Sequence, residues 1–191
     1  MKELEDRILK DGKCLEGGIL KVDGFINHQM DPGLMFSCAA EFARLFAGLG
    51  IDKILTVEAS GIAPAILTGY LMRVPVVFAK KAVPKTMSGA FVSTVRSFTK
   101  GRDYTIFVSK ECLSKGERIL VIDDFLACGN AAVGLADIVS QSGAAALGFG
   151  FLVEKAFQGG RDAILKRNPG ARIESLAVIA SLDGGRIAFA P

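Results

Sequence analysis

Histidine occurs once in the chain, at His28, and no two of the four cysteines, Cys14, Cys38, Cys112 and Cys128, form a Cys-x-x-Cys pair. That argues against a zinc site and against a disulfide framework. A Ser-His-Asp or Cys-His mechanism would have to rest on His28 alone. No apolar run reaches the roughly 18 residues that span a bilayer. The N-terminal Met1-Lys2-Glu3-Leu4-Glu5-Asp6-Arg7 mixes charges without an apolar signal core. A cytoplasmic protein with no membrane partner is the expectation. A net charge of +3 is too small to indicate nucleic acid as a partner. Gly-x-x-x-x-Gly-Lys-[Ser/Thr] is absent, as is a clear Gly-x-Gly-x-x-Gly, which weakens a generic nucleotide-binding reading. There is no internal repeat and no low-complexity tract.

What the chain does have is 191 residues, half of them apolar and 23% charged. That is enough for one well-buried core and short for two, so residues 1–191 read as a single domain. A short charged helix over 1–11 and a strand at Ile19-Leu20-Lys21-Val22 form an N-terminal arm, 1–32. Asp31-Pro32 marks a helix start, acid at the cap and proline at the first helical position. Leu34, Met35, Cys38, Phe42, Leu45 and Phe46 then recur at helical spacing up to Gly48.

Strands and helices alternate from there. Ile54–Val57, Pro75–Ala79, Arg118–Ile122, Leu147–Val153 and Ser175–Ala180 read as strands. Ile62–Met72 and about Ala131–Ser142 read as helices. Continuous apolar strands suit parallel pairing with helices on both faces. The predicted fold is α/β, an open, mostly parallel sheet with flanking helices. Ligands of such sheets sit at the carboxyl ends of the strands. That rule selects Glu58–Gly61, Asp123–Ala131 and Glu154-Lys155. The Lys80–Glu117 stretch interrupts the rhythm. Phe91–Val95 and Tyr104–Ser109 within it can pair, and an excursion of this length suits a lid or functional arm.

The segment Val121-Ile122-Asp123-Asp124-Phe125-Leu126-Ala127-Cys128-Gly129-Asn130-Ala131 carries the strongest signal. An apolar strand delivers two adjacent carboxylates into solvent at its C-terminal end, then a small-residue turn opens a helix. Free N–H groups at a helix start suit an anion, and carboxylates accept from sugar hydroxyls. The pattern describes a site for a sugar bearing a phosphate. The same acids can equally serve only to cap the helix and complement its dipole. In Glu58-Ala59-Ser60-Gly61 small residues before a helix let backbone approach an anion, or simply make a tight turn. Arg96 and Ser97-Phe98-Thr99-Lys100 offer cations and hydroxyls suited to a loop that closes over phosphate, and Lys80 and Lys81 add positive charge; any one of them can also be ordinary solvated surface. Lys155 can donate to a carbonyl oxygen and Phe157 can stack on a flat heterocycle, or the two can be surface lysine and core phenylalanine.

The Asp123-Asp124 segment resembles the diphosphoribose-binding signature of type I phosphoribosyltransferases, with the acids and Gly129 in place. It departs from the hydroxyl-rich loop of many members at Cys128, Asn130 and Ala131. That departure is similar to the Ala-Asn-Gly-Gln-Ala loop of bacterial xanthine phosphoribosyltransferases. Four further blocks resemble the same family in order: 20–32 (Leu20-Lys21-Val22-Asp23-Gly24-Phe25-Ile26-Asn27-His28-Gln29-Met30-Asp31-Pro32), Glu58–Pro64, Ser97–Lys100 and Val153–Phe157.

The resemblance implies the type I phosphoribosyltransferase fold, with residues 1–32 as hood and 80–117 as a long flexible loop. It implies purine salvage: transfer of a 5-phosphoribosyl group from 5-phosphoribosyl diphosphate to xanthine. Asp123 and Asp124 would be the catalytic acids. Ala127, Cys128, Gly129, Asn130 and Ala131 would bind the 5-phosphoribosyl diphosphate, and Glu58, Ala59, Ser60 and Gly61 its pyrophosphate. Leu20, Asn27 and Lys155 would contact the base. Mg²⁺ is the implied cofactor, brought with the diphosphate and without a settled protein ligand. A homodimer is the implied assembly. Alternatives are a hypoxanthine, guanine or adenine enzyme, or a regulator of the same fold that senses 5-phosphoribosyl diphosphate. The roughly 50 residues before Ile54 show no basic helix-turn-helix pattern to support the regulator.

Overall fold

The computed structural model describes residues 1–15, 17–82, 87–96 and 103–190. The chain opens with α1 (Lys2–Asp11), a hairpin of β1 (Lys13–Leu15) and β2 (Ile19–Lys21), and a π-helical turn at Asp23–Asn27. Gly17 and Gly18 between the two short strands take φ of 77° and 70°, a region that costs other residues a Cβ clash. In α2 (Pro32–Leu45), the Asp31 carboxylate accepts from the N–H groups of Gly33 and Leu34 at 3.1 and 3.2 Å, as its cap position requires. Then come β3 (Lys53–Val57), α3 (Ile62–Met72) and β4 (Val76–Ala79). The excursion contributes β5 (Ala90–Arg96) and β6 (Asp103–Ser109). Next are β7 (Arg118–Leu126), α4 (Asn130–Ser142), β8 (Ala145–Lys155), α5 (Gly160–Arg167), β9 (Arg172–Ser181) and β10 (Ala188–Phe189).

Six strands form the sheet in the order β10-β9-β8-β7-β3-β4, all parallel except the short edge strand β10. Each interior strand feeds both faces. Leu120 and Ile122 of β7 pack with Leu4 and Ile8 of α1 and Met35 and Phe42 of α2. Ile119 and Val121 pack on the opposite side with Leu135 and Ile138 of α4. This two-sided burial is why the strands read as unbroken apolar runs. The chain leaves β3 outward to β4 and leaves β7 in the other direction to β8. The crevice between the ends of β3 and β7 is therefore the topological switch point, where open α/β sheets bind ligands.

Three expectations change. The strand holding the acids runs four residues beyond Ile122, because Phe125 and Leu126 pair in register with Val153 and Glu154 of β8. Asp123 and Asp124 consequently belong to the strand itself. Helix α2 stops at Leu45, three residues short of Gly48. Helix α5 and strand β10 were not read from the sequence.

The two strands of the excursion do pair, antiparallel, from Ala90↔Ser109 to Arg96↔Asp103. They pack on α4: Val95 and Ile106 join its core, and the Gln141 amide both accepts from Val92 N and donates to Val92 O. Ser97-Phe98-Thr99-Lys100 lies outside the described residues. No helix among the described residues is long and apolar enough to cross a membrane.

Candidate functional site

A cleft of about 330 Å³ opens where β3, β7 and β8 end. Its floor is Asp123, Asp124 and Phe125. Asp123 is only 5% exposed. Its Oδ1 accepts from Asp124 N at 2.9 Å, and Asp124 Oδ1 accepts from Phe125 N at 2.9 Å. Burial, and then the neighbouring Asp124 charge, push the Asp123 carboxyl well above its usual range. The sequence reading of two carboxylates delivered into solvent is thus corrected: the β7–β8 pairing carries the first acid inside, and the second is half-buried.

On one side stands the turn from Ala127 to Gly129. Gly129 has φ 82° and caps α4. The first turn of α4 contains no acidic residue and no side-chain cap, so its N–H groups face the cleft without an internal competitor. Asn130 does not offer its amide there, because Nδ2 donates to Arg96 O at 2.9 Å. The turn is supported from behind by Gly160. A Cβ on that residue would stand 2.3 Å from Ala127 O and 3.0 Å from Gly129 N.

On the other side, Glu58, Ala59 and Ser60 line the wall. Glu58 Oε1 accepts from Lys81 N at 2.5 Å, and the Glu58–Ala59 peptide is cis. Gly61 is not on the wall but behind it. A Cβ there would lie 2.3 Å from Thr56 Oγ1 and 2.7 Å from Asp123 Oδ1. Lys81 enters the cleft with its Nζ 5.6 Å from the centre of the Tyr104 ring.

The third side brings Lys155 together with the N-terminal hairpin. Lys155 Nζ donates to Gly18 O at 3.1 Å and stands 5.9 Å from the Phe125 ring centre. Desolvation lowers its pKa from the ordinary lysine value. Gly17, Gly18 and Ile19 line the cleft at this end. Leu20 and Asn27 do not. Leu20 is buried in the core below the hairpin, and Asn27 Oδ1 is a buried acceptor with no partner among the described residues. Phe157 is exposed and does not line the cleft; the aromatic rings that do are Phe125 and Tyr104.

Among the residues considered, the cleft gathers Glu58, Ala59, Ser60, Asp123, Asp124, Ala127–Ala131 and Lys155. Tyr104, Gln158, Gly17 and Gly18 were not foreseen. The Gly17-Gly18 pair was the one available signal, since two successive glycines permit a tight turn over a ligand.

No family model matches the chain. Solved structures share the fold. The chain is similar to an adenine phosphoribosyltransferase from Trypanosoma brucei in complex with AMP, pyrophosphate and ribose-5-phosphate (TM-score 0.76, 19% identity, 92% of this chain and 78% of that one). It is also similar to one from Saccharomyces cerevisiae (TM-score 0.74, 22% identity, 92% and 99%).

Curated relatives resemble it more closely in sequence. The xanthine phosphoribosyltransferase of Moorella thermoacetica is 51% identical over 97% of this chain and 94% of its own length. That of Lactiplantibacillus plantarum is 49% identical over 100% and 97%. With such likeness along the full length, and the acid pair, the Ala127–Gly129 turn and the lysine assembled at one switch point, the chain belongs to the xanthine phosphoribosyltransferase family.

Proposed function

We propose that the cleft transfers the 5-phosphoribosyl group of 5-phosphoribosyl diphosphate to xanthine, giving xanthosine 5′-monophosphate and pyrophosphate in purine salvage. A ring nitrogen of the base forms the new bond to the anomeric carbon as the carbon–oxygen bond to the diphosphate breaks. The transition state carries oxocarbenium character, so little covalent help is needed. The protein's task is to position two substrates and stabilise departing charge. The observation that carries this reading is the convergence of Asp123-Asp124, the Ala127–Gly129 turn and Lys155 on one cleft in a chain about half identical to its xanthine-named relatives.

In this reading Asp124 and Asp123 accept from the ribose hydroxyls. The backbone N–H groups from Ala127 to Ala131 hold the 5′-phosphate. Glu58–Gly61 presents backbone to the diphosphate. Lys155 donates to a carbonyl oxygen of the base, and Leu20 and Asn27 support that end, Leu20 from beneath the hairpin.

Among the described residues no three His, Cys, Asp or Glu side chains converge on a metal position. The donors at the cleft are Asp123, Asp124 and Glu58, which fits a Mg²⁺ that arrives on the diphosphate and keeps mostly water ligands. Such an ion would meet Asp124 and Asp123 and offset the charge growing on the departing oxygen.

The cytoplasm and a homodimer complete the proposal. The exposed Ile66 and Tyr70, one turn apart on α3 beside a hollow reaching Val76, favour a covered surface there. The test of function is pyrophosphate release with 5-phosphoribosyl diphosphate, Mg²⁺ and each purine in turn. Release with xanthine is expected. Release with adenine alone would overturn the role of Lys155, and no release with any base would favour a sensing regulator.

A further inference from the structure

Glu154 is the residue before Lys155, and in a strand the two side chains point to opposite faces. Lys155 points toward the hairpin and Phe125. Glu154 points toward α5 and β9 and is 4% exposed. A buried carboxylate is costly unless every oxygen is paired, and here both are. Glu154 Oε1 accepts from Arg161 Nε at 3.1 Å. Oε2 accepts from Arg161 Nη2 and from Ser175 Oγ, each at 2.6 Å. The third guanidinium nitrogen, Nη1, donates to Ile173 O at 3.0 Å. A planar fork on a carboxylate fixes orientation as well as distance.

The Arg161 side chain is 40% exposed, and an ion pair open to solvent on one side adds little cohesion between β8 and α5. The charge network therefore calls for an explanation beyond cohesion. The residue preceding Arg161 supplies one. Gly160 packs backbone to backbone against the Ala127–Gly129 turn. A Cβ on Gly129 would in turn stand 2.8 Å from Gly160 O. The first two residues of α5 thus touch the anion-binding turn and the base of Lys155's strand end respectively. A second tie, Arg167 Nε to Asp137 Oδ1 at 2.6 Å, fixes the far end of α5 to α4.

We propose that the Gly160-Arg161 step is a rigid link between the phosphate turn and the base-binding lysine, with Arg161 a positioning residue for xanthine. Arg161 touches no substrate. Its fork on Glu154 sets the direction in which Lys155 leaves the strand, and its neighbour reports the state of the phosphate turn to the same helix. The inference rests on Lys155 binding the base, as proposed above.

The test is steady-state kinetics of the full-length protein with both substrates varied. Arg161→Ala is expected to raise KM for xanthine about tenfold, the loss of roughly one charge-assisted hydrogen bond. KM for 5-phosphoribosyl diphosphate should move less than about twofold. In a Lys155→Ala background the xanthine effect of Arg161→Ala should vanish, because a residue acting through Lys155 has nothing left to act on.

Removing Arg161 leaves the buried Glu154 carboxylate without its cation and can prevent folding. The joint variant Glu154→Leu with Arg161→Met keeps the packing without the fork and should show the same selective rise. Arg161→Lys, which keeps charge but not the fork, should restore it only in part. A folded joint variant with unchanged KM for xanthine, equal losses for both substrates, or additivity with Lys155→Ala would each overturn the link. Lys155→Ala without any effect on xanthine would instead remove the reading beneath it.

Discussion

Gly61→Ala adds one methyl group where the structure has no room for it. The backbone there has φ −67° and ψ −18°, which suits alanine as well as glycine, so conformational strain plays no part. The obstacle is steric. The new Cβ would lie 2.3 Å from Thr56 Oγ1, 2.7 Å from Asp123 Oδ1 and 3.3 Å from Asp123 Cα. Relieving such contacts in a packed interior costs about 2 kcal/mol, which for a chain of this size lowers Tm by about 4–8 °C. Both Thr56 and the Asp123 carboxylate must give way, and moving a group proposed to hold substrate by about 1 Å costs roughly 100-fold in rate.

Thr56→Ala separates the two effects. Among the described residues its hydroxyl is buried without a hydrogen-bond partner, so Thr56→Ala alone costs mainly one buried methyl group, about 1 kcal/mol. Combined with Gly61→Ala it should return most of the lost Tm. It should leave kcat low, since the contact with Asp123 remains. Thermal unfolding and pyrophosphate-release kinetics on the three variants decide the matter. A Gly61→Ala protein with unaltered Tm and kcat would refute the packing argument, and full recovery of kcat in the double variant would refute the part assigned to Asp123.

Lys155→Ala should raise KM for xanthine by about 10- to 100-fold, the span of a hydrogen bond to a charged group, and change KM for 5-phosphoribosyl diphosphate little. Kinetics with varied xanthine check this, and unchanged values would take Lys155 out of the base site. Asp124→Asn should lower kcat by at least about tenfold with smaller effects on either KM, measured by single-turnover product formation. Asp123→Asn should lose activity yet stabilise the fold. A carboxyl whose folded pKa is raised contributes stability below its unfolded value near 3.8 and loses it as pH rises through the folded pKa. Urea unfolding should therefore show the Asn variant gaining on the parent at neutral pH and not below pH 3.8; an equal difference at both would contradict the buried-acid assignment.

Much of this architecture can be read in the residues. Helix α3 spans Ile62–Met72 as its flanking turn signals indicate, and Asp31-Pro32 caps α2 through two measured hydrogen bonds. The β5–β6 pairing is legible as two apolar alternations with a polar interval.

What escapes the sequence depends on partners distant along the chain. Phe125 and Leu126 look like a turn until β8 pairs with them. Helix α5 has eight residues, begins at a Gly159-Gly160 pair and has no apolar stripe, and is held by Glu154, Ile173 and Asp137 rather than by its own pattern. Phe157 and Phe125 are equivalent as letters, and only the strand direction puts the latter on the cleft wall. The Ala127–Gly129 turn is legible because its signals are local: glycine, small neighbours and a helix start lie within five residues.

Lys155 Nζ donates to the Gly18 carbonyl, an acceptor of the same kind as the base oxygen proposed for it. In that proposal, taking up xanthine exchanges one carbonyl oxygen for another and leaves the count of hydrogen bonds at the lysine unchanged. An amino group in the same place would displace the Gly18 carbonyl and accept nothing, stranding a desolvated cation. In the proposed reading, discrimination against adenine at this end of the cleft would lie as much in what the protein must give up as in what the ligand brings.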